Sequence, residues 1–277
     1  MGVFRDLRHA LRGVFRAPGF SAVVVVSLGL GIGAATALFT LVDGVLLRPL
    51  DFPESDRLVM AWQDHSRRGG PEREWFSYQN YADLAEEDVF HSLAAFQDWF
   101  ATFTSEDEPR RLSGGQVTQG MLGDVLGVTP VAGRLFTPEE DTPGAPPVVM
   151  LSHGLWSRAF GSDPGVVGGV MTLDGEPHTV VGVLPESFRF PYLSAAEIWR
   201  PARLSRDPEV SGGRGSLYLR VVGRLRNAVS FDEARARTTA VGRRLEDAYP
   251  SSNAQLGLTL HPLKDEVIGS AKAPLNL

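Results

Sequence analysis

Six histidines are the first candidates for chemistry: His9, His65, His91, His153, His178 and His261. Imidazole can ligate a metal or carry a proton near neutral pH. Metal-ligating histidines recur at short fixed spacings such as HExxH or HxH, and none of these six does. Each is expected at the surface or at a helix start. Ser113 and Ser152 lack the G-x-S-x-G context of a hydrolytic nucleophile. The carboxylate pairs Glu86-Glu87 and Glu139-Glu140 lie in polar stretches and read as solvated. The chain has no cysteine, which excludes disulfides, thiol nucleophiles and thiolate metal sites. No catalytic residue, metal ligand or cofactor-binding residue is predicted, and the chain does not read as an enzyme.

One string invites a nucleotide reading. Leu112-Ser113-Gly114-Gly115-Gln116 matches the signature of ABC-type ATPase domains, whose loop contacts nucleotide phosphate. Such a domain also needs a GxxxxGK[ST] loop. The only lysines are Lys264 and Lys272, and neither follows one. The expectation is a glycine turn ahead of a short strand at Gln116-Val117-Thr118.

The element that positions everything else is the apolar run from Pro18 to Val42. No charge lies between Arg16 and Asp43. About 25 residues of helix rise roughly 38 Å, enough to cross a ~30 Å hydrocarbon core with tilt. A transmembrane helix over 18–47 is expected, with Gly29 and Gly33 as a small-xxx-small packing face. Arg5, Arg8, Arg12 and Arg16 precede it, and basic flanks stay cytoplasmic, so the chain after about Leu47 is placed outside. A cleaved signal peptide is the rival, with Ala35-Thr36-Ala37 as its site, but the apolar run continues beyond that point. Residues 1–17, with Phe4, Leu7, Leu11, Val14 and Phe15 near helical spacing, suit a basic amphipathic segment on the inner membrane surface. The expected location is the cell membrane, with the N-terminus cytoplasmic and the bulk of the chain outside.

The first sixteen residues hold four arginines and one aspartate, which leaves −9 on the rest of a chain whose net charge is −6. That balance argues against a nucleic-acid partner. Beyond the span, Leu58 to Trp62 reads as a strand. Ser77 caps a helix through Tyr81, Leu84 and Ala85, and Phe90, Leu93 and Phe96 continue its apolar supply. Trp99 to Thr104 alternates weakly as a strand. Val148 to Leu151 is a buried strand, and Ser152 caps a helix that Gly161 stops. Val170 to Val183 is a hairpin on Asp174-Gly175. A strand from Leu217 to about Leu225 leads to Ser230 and Glu233, a capping box. The helix that follows carries Phe231, Ala234, Thr238, Val241, Leu245 and Ala248 on one face and ends near Tyr249-Pro250. Leu256, Leu258 and Leu260 make the last strand. The architecture expected is α+β. After the transmembrane helix comes a domain over 48–277, in which 58–110 and 215–263 form one split unit and 111–214 an inserted, mainly β subdomain.

Five stretches then resemble, in order, one family: the MacB-like, FtsX-like permeases of ABC transporters. LGLGIGAATALFTLVDGVLLRPLDFPESDRLV resembles the first span and its exit. FSYQNYADLAEEDVFHSLAAF, VLGVTPVAGRLFTPEED, LSHGLWSRAFGSDPGVVGGVMTLDGEPHTVVGVLPESFRFP and VVGRLRNAVSFDEARARTTAVGRRLEDAYP resemble parts of the periplasmic core domain. The resemblance implies the inner membrane and the periplasm as the location, and a porter-like α/β unit with an inserted β subdomain. It also implies a permease-only chain, with ATP hydrolysed by a separate cytoplasmic ABC ATPase. Pairing as a homodimer or with a second permease is implied, as is contact with membrane lipid, and the family admits a periplasmic adaptor. Members have three further spans after the core domain, so the sequence is expected to stop short of the second span. The implied role is to couple ATP hydrolysis to efflux or to conformational work in the periplasm. The alternative is a single-span anchored binding or sensor domain.

Overall fold

The computed structural model describes residues 50–104 and 108–272, with side chains through Ile268, and within the first fifty residues Gly19, Val23, 26–33 and Thr36. The chain divides into two compact units, Met1–Arg48 and Pro49–Leu277.

In the first unit the described positions are helical, and Val26, Leu28, Leu30 and Ile32 are exposed. Among the described residues, no atom beyond the local helix lies within 4 Å of where a Cβ would stand at Gly29 or Gly33. Among the described residues no helix is long and apolar enough to cross a membrane. Most of the expected span, and Arg5, Arg8, Arg12 and Arg16, lie outside the described residues.

The second unit is built on a ten-stranded mixed sheet. Its strands are β1 (Leu58–Asp64), β2 (Phe90–Phe103), β3 (Arg110–Val117), β4 (Ala132–Gly133), β5 (Val148–Leu151), β6 (Val170–Leu173), β7 (Glu176–Val183), β8 (Ile198–Pro201), β9 (Arg220–Leu225) and β10 (Gly257–Pro262). The helices are α1 (Tyr78–Ala85), α2 (His153–Phe160), α3 (Pro208–Ser211), α4 (Phe231–Ala248), α5 (Pro250–Asn253) and α6 (Leu263–Lys272).

β2 joins two halves of the sheet. Its first half pairs with β9, from Phe90 to Phe96, and its second half pairs with β3, from Phe96 to Phe103. On the first side the order runs β10-β1-β9-β2. β1 is buried on both faces, as its uninterrupted apolar run requires. Val59 and Ala61 face a cluster with Tyr81 and Leu84 of α1 and Ala234, Val241 and Leu245 of α4. Leu58, Met60 and Trp62 face the opposite cluster. The Ser230 hydroxyl accepts from the Glu233 N–H at 3.2 Å and starts α4. Only half of the expected capping box forms, because the Glu233 carboxylate pairs with Arg237 instead. Gly242 lets α4 lie close on β10, since a Cβ there would stand 2.8 Å from the Leu258 nitrogen.

On the second side the ladder runs β2-β3-β8-β5-β7-β6 and returns to β2 through Phe103 and Leu173. These six strands form a closed ring around Trp99, Leu112, Val149, Leu151, Met171, Leu173, Val180 and Ile198. Closure removes free sheet edges there. The β6–β7 hairpin turns on Asp174 (φ 50°) and Gly175 (φ 82°), both in the left-handed region that a type I′ turn requires. The Asp174 carboxylate accepts from the Thr102 N–H at 2.8 Å, and its own N–H donates to the Thr102 carbonyl at 2.9 Å.

Three local expectations are corrected. Phe90, Leu93 and Phe96 are not helical: α1 ends at Ala85, and β2 starts at Phe90. Cross-strand burial against β9 outweighs the helical spacing of those apolar residues. Gly114 and Gly115 are not a turn but the middle of β3. A Cβ would stand 2.8 Å from Trp99 at Gly114 and 2.8 Å from Trp199 at Gly115, so these positions are small to admit two indoles. His65 and His178 are buried rather than at the surface.

Candidate functional site

The place where the chain enters and leaves this domain is built as one unit. The lead-in segment carries Leu50 and Phe52, then a 3-10 turn at Ser55–Arg57, and runs into β1. α6 begins directly after β10 and packs on β1 and on that turn. Phe52 and Leu263 belong to the same buried cluster, with Leu50 and Val267 packed at its margin. The Phe52 ring meets Phe188 at 6.2 Å and Phe190 at 6.4 Å between centroids. Displacing either end of the domain therefore disturbs a core that the other end shares.

A polar seam crosses this junction. Glu266 of α6 is buried although charged. The Tyr192 hydroxyl donates to its Oε2 at 3.3 Å, and Arg73 Nε lies 3.4 Å from Oε1. His261 Nδ1 stands 3.6 Å from the same oxygen. Burial, and then the Glu266 charge, push the Tyr192 phenol well above its ordinary value. Burial, and then Arg73, lower the His261 imidazole, against the raising pull of Glu266, Glu72 and Asp265. Glu266 Oε1 and Trp62 Nε1 are both buried, with no hydrogen-bond partner among the described residues. Beyond Tyr192 the seam continues through Arg220, which donates to the Tyr192 carbonyl at 3.4 Å and pairs with Asp98 at 2.6 Å. It thus links α6 to β9 and to β2, the strand both halves share.

The other sequence candidates do not converge. His65 stacks its contacts on Arg68, 2.8 Å from Nδ1, and His178 sits at 3.1 Å from the Glu176 carbonyl. His153 opens α2 as expected, edge-on to Trp156. Ser152 caps α2, and Ser113 lies within β3. Among the described residues no three His, Asp or Glu side chains gather as a metal site. Glu266 and Tyr192 carried no sequence signal, because their meeting depends on a loop and a helix 74 positions apart.

The model of the MacB-like periplasmic core domain matches residues 21–241. The chain belongs to that family. The family's domains are extracytoplasmic parts of ABC-type transporter permeases. Three solved structures share the fold. A domain of a protein described as a permease from Porphyromonas gingivalis superposes with a TM-score of 0.57 at 17% identity, covering 77% of this chain and 92% of that one. The periplasmic region of MacB from Actinobacillus actinomycetemcomitans gives 0.54 at 11% identity, covering 79% and 94%. The extracellular domain of the noncanonic ABC-type transporter YknZ from Gram-positive bacteria gives 0.52 at 18% identity, covering 73% and 99%. No curated protein matches the chain.

Proposed function

We propose that the chain belongs to the permease of an ABC transporter, coupling ATP hydrolysis in a separate cytoplasmic ATPase to efflux or conformational work in the periplasm. Residues 18–47 would cross the inner membrane, with Arg5, Arg8, Arg12 and Arg16 inside and Gly29 and Gly33 facing a neighbouring helix. No ATP would bind this chain. A homodimer or a second permease would complete the pathway, and a periplasmic adaptor could dock on the domain. The observation that carries this reading is the shared core of Phe52 and Leu263, with Glu266 beneath it. A domain that works in such a permease must transmit the displacement of the membrane part rather than absorb it. A rigid core common to the lead-in segment and α6 does that, since packed cores switch between discrete arrangements rather than deforming smoothly.

The test has two arms. A reporter enzyme active only outside the cytoplasm, fused after Leu50, should be active in cells. The tagged permease should co-purify with an ATPase subunit, and loss of both results removes the reading. A single-span anchored binding domain is the second reading. The arginine-lined pocket described next favours it, and recovery of the domain with a ligand but without an ATPase would support it.

A further inference from the structure

We propose that the pocket between the lead-in segment and the end of β9 binds a phosphate-bearing anion. The cavity measures about 490 Å³, and Arg57, Arg224, Arg226, His91, Glu54 and Asp124 are among the side chains that line it. Three guanidiniums in one pocket run against the acidic balance of this part of the chain.

Each guanidinium is pinned through its Nε to a backbone carbonyl. Arg57 donates to Leu225 at 2.8 Å, Arg224 to Val125 at 2.8 Å and Arg226 to Phe90 at 3.1 Å. Those carbonyls orient the forks but neutralise no charge. The Val125 carbonyl is available because residues Met121–Val125 form a wide turn with i→i+5 bonds, an irregularity that often accompanies function. One carboxylate serves two of the cations: Glu54 pairs with Arg57 and lies 3.7 Å from Arg224. Its side chain is 59% exposed, so water screens that charge. Its backbone also sits at φ 48°, in the left-handed region, which is a strained conformation for glutamate. Asp124 lines the pocket, but no cation lies within ion-pair range of it among the described residues. Arg226 is exposed and likewise has no ion pair among them.

Arg224 is only 6% exposed, and among the described residues its Nη2 has no hydrogen-bond acceptor. A buried, partly unpaired guanidinium beside a second one is costly unless an anion completes the set. Planar forks held in fixed orientations suit a tetrahedral oxyanion, which accepts from several N–H groups at once. The source is either free phosphate or a phospholipid headgroup. The lipid source rests on the membrane reading above, because Glu54 and Arg57 closely follow the apolar run. The phosphate chemistry does not rest on it.

The experiment uses the full chain in a maltoside detergent that carries no phosphate. Inorganic phosphate is titrated against sodium chloride at matched ionic strength while the melting midpoint is followed. Phosphate should raise it and chloride should not. Arg226→Gln should weaken half-saturation about 10-fold, the loss expected for one charge-assisted contact. The substitution also removes the Nε bond to the Phe90 carbonyl, so the binding readout is the phosphate-induced rise measured from each protein's own midpoint without phosphate. Glu54→Gln, which removes the competing carboxylate, should strengthen binding. In a parallel arm, native mass spectrometry scores retention of phosphatidylglycerol against phosphatidylcholine. Arg226-dependent retention of phosphatidylglycerol identifies the headgroup as the source, and phosphate binding without it identifies free phosphate. Equal titrations for the parent and Arg226→Gln, or no phosphate effect and no lipid retention, overturn the proposal. A cytosolic location would remove the transporter reading but leave the phosphate titration intact.

Discussion

Replacing Leu263 with alanine tests whether α6 is part of the domain core or merely rests on it. Leu263 is fully buried, in one cluster with Phe52, Leu58, Trp62 and Trp199. Truncating a leucine at such a site costs about 2–5 kcal/mol, because transfer free energy is lost and the cavity relaxes only in part. Taking about 3 kcal/mol, and a shift of roughly 2–4 °C per kcal/mol for a domain of this size, the melting midpoint should fall by roughly 6–12 °C. Tryptophan fluorescence on thermal unfolding is the assay, since Trp62 and Trp199 share the cluster that loses its leucine. Lys264→Ala, at the exposed next position, should stay within about 0.5 kcal/mol of the parent. If Leu263→Ala melts within 2 °C of the parent, α6 is not docked as described, and transmission between the two ends loses its physical basis.

Other outcomes follow from single contacts. Gly115→Ala should destabilise by about 1–3 kcal/mol and alter near-ultraviolet circular dichroism, because its Cβ would meet Trp199 at 2.8 Å and Leu193 at 2.9 Å. Ser230→Ala should cost about 1 kcal/mol in denaturant unfolding, the usual loss of a helix cap. His65 and His261 both have lowered pKa values, first through burial; Arg68 then lowers His65, and Arg73 lowers His261. Below pH 6.5 the unfolded chain therefore binds more protons than the folded one, and stability should decline as the pH drops from about 6.5 towards 5. A melting series across that range checks this, and His65→Asn combined with His261→Asn should flatten it. Among the carboxylates with lowered values, Glu140 held by Arg134 and Glu246 held by Arg67 act in the same sense only below about pH 4.5.

Local structure in this chain was legible wherever one residue type at one spacing settles the backbone. The Asp174-Gly175 turn, the Ser152 and Ser230 caps and the one-sided face of α4 all have reasons that act within a few residues. The order of family-like stretches likewise needs no tertiary information. Tertiary packing decided the rest. Phe90, Leu93 and Phe96 fit a helix by spacing but pair with β9, because long-range pairing buries them better than local propensity can. Gly114 and Gly115 look like a turn until Trp99 and Trp199 arrive from other strands to occupy the space above them. Ring closure through Phe103 and Leu173, the meeting of Glu266 with Tyr192, and the three arginines around one pocket all join residues dozens of positions apart. Each depends on which strands become neighbours. That choice is made by burial of the whole sheet, to which no local pattern has access.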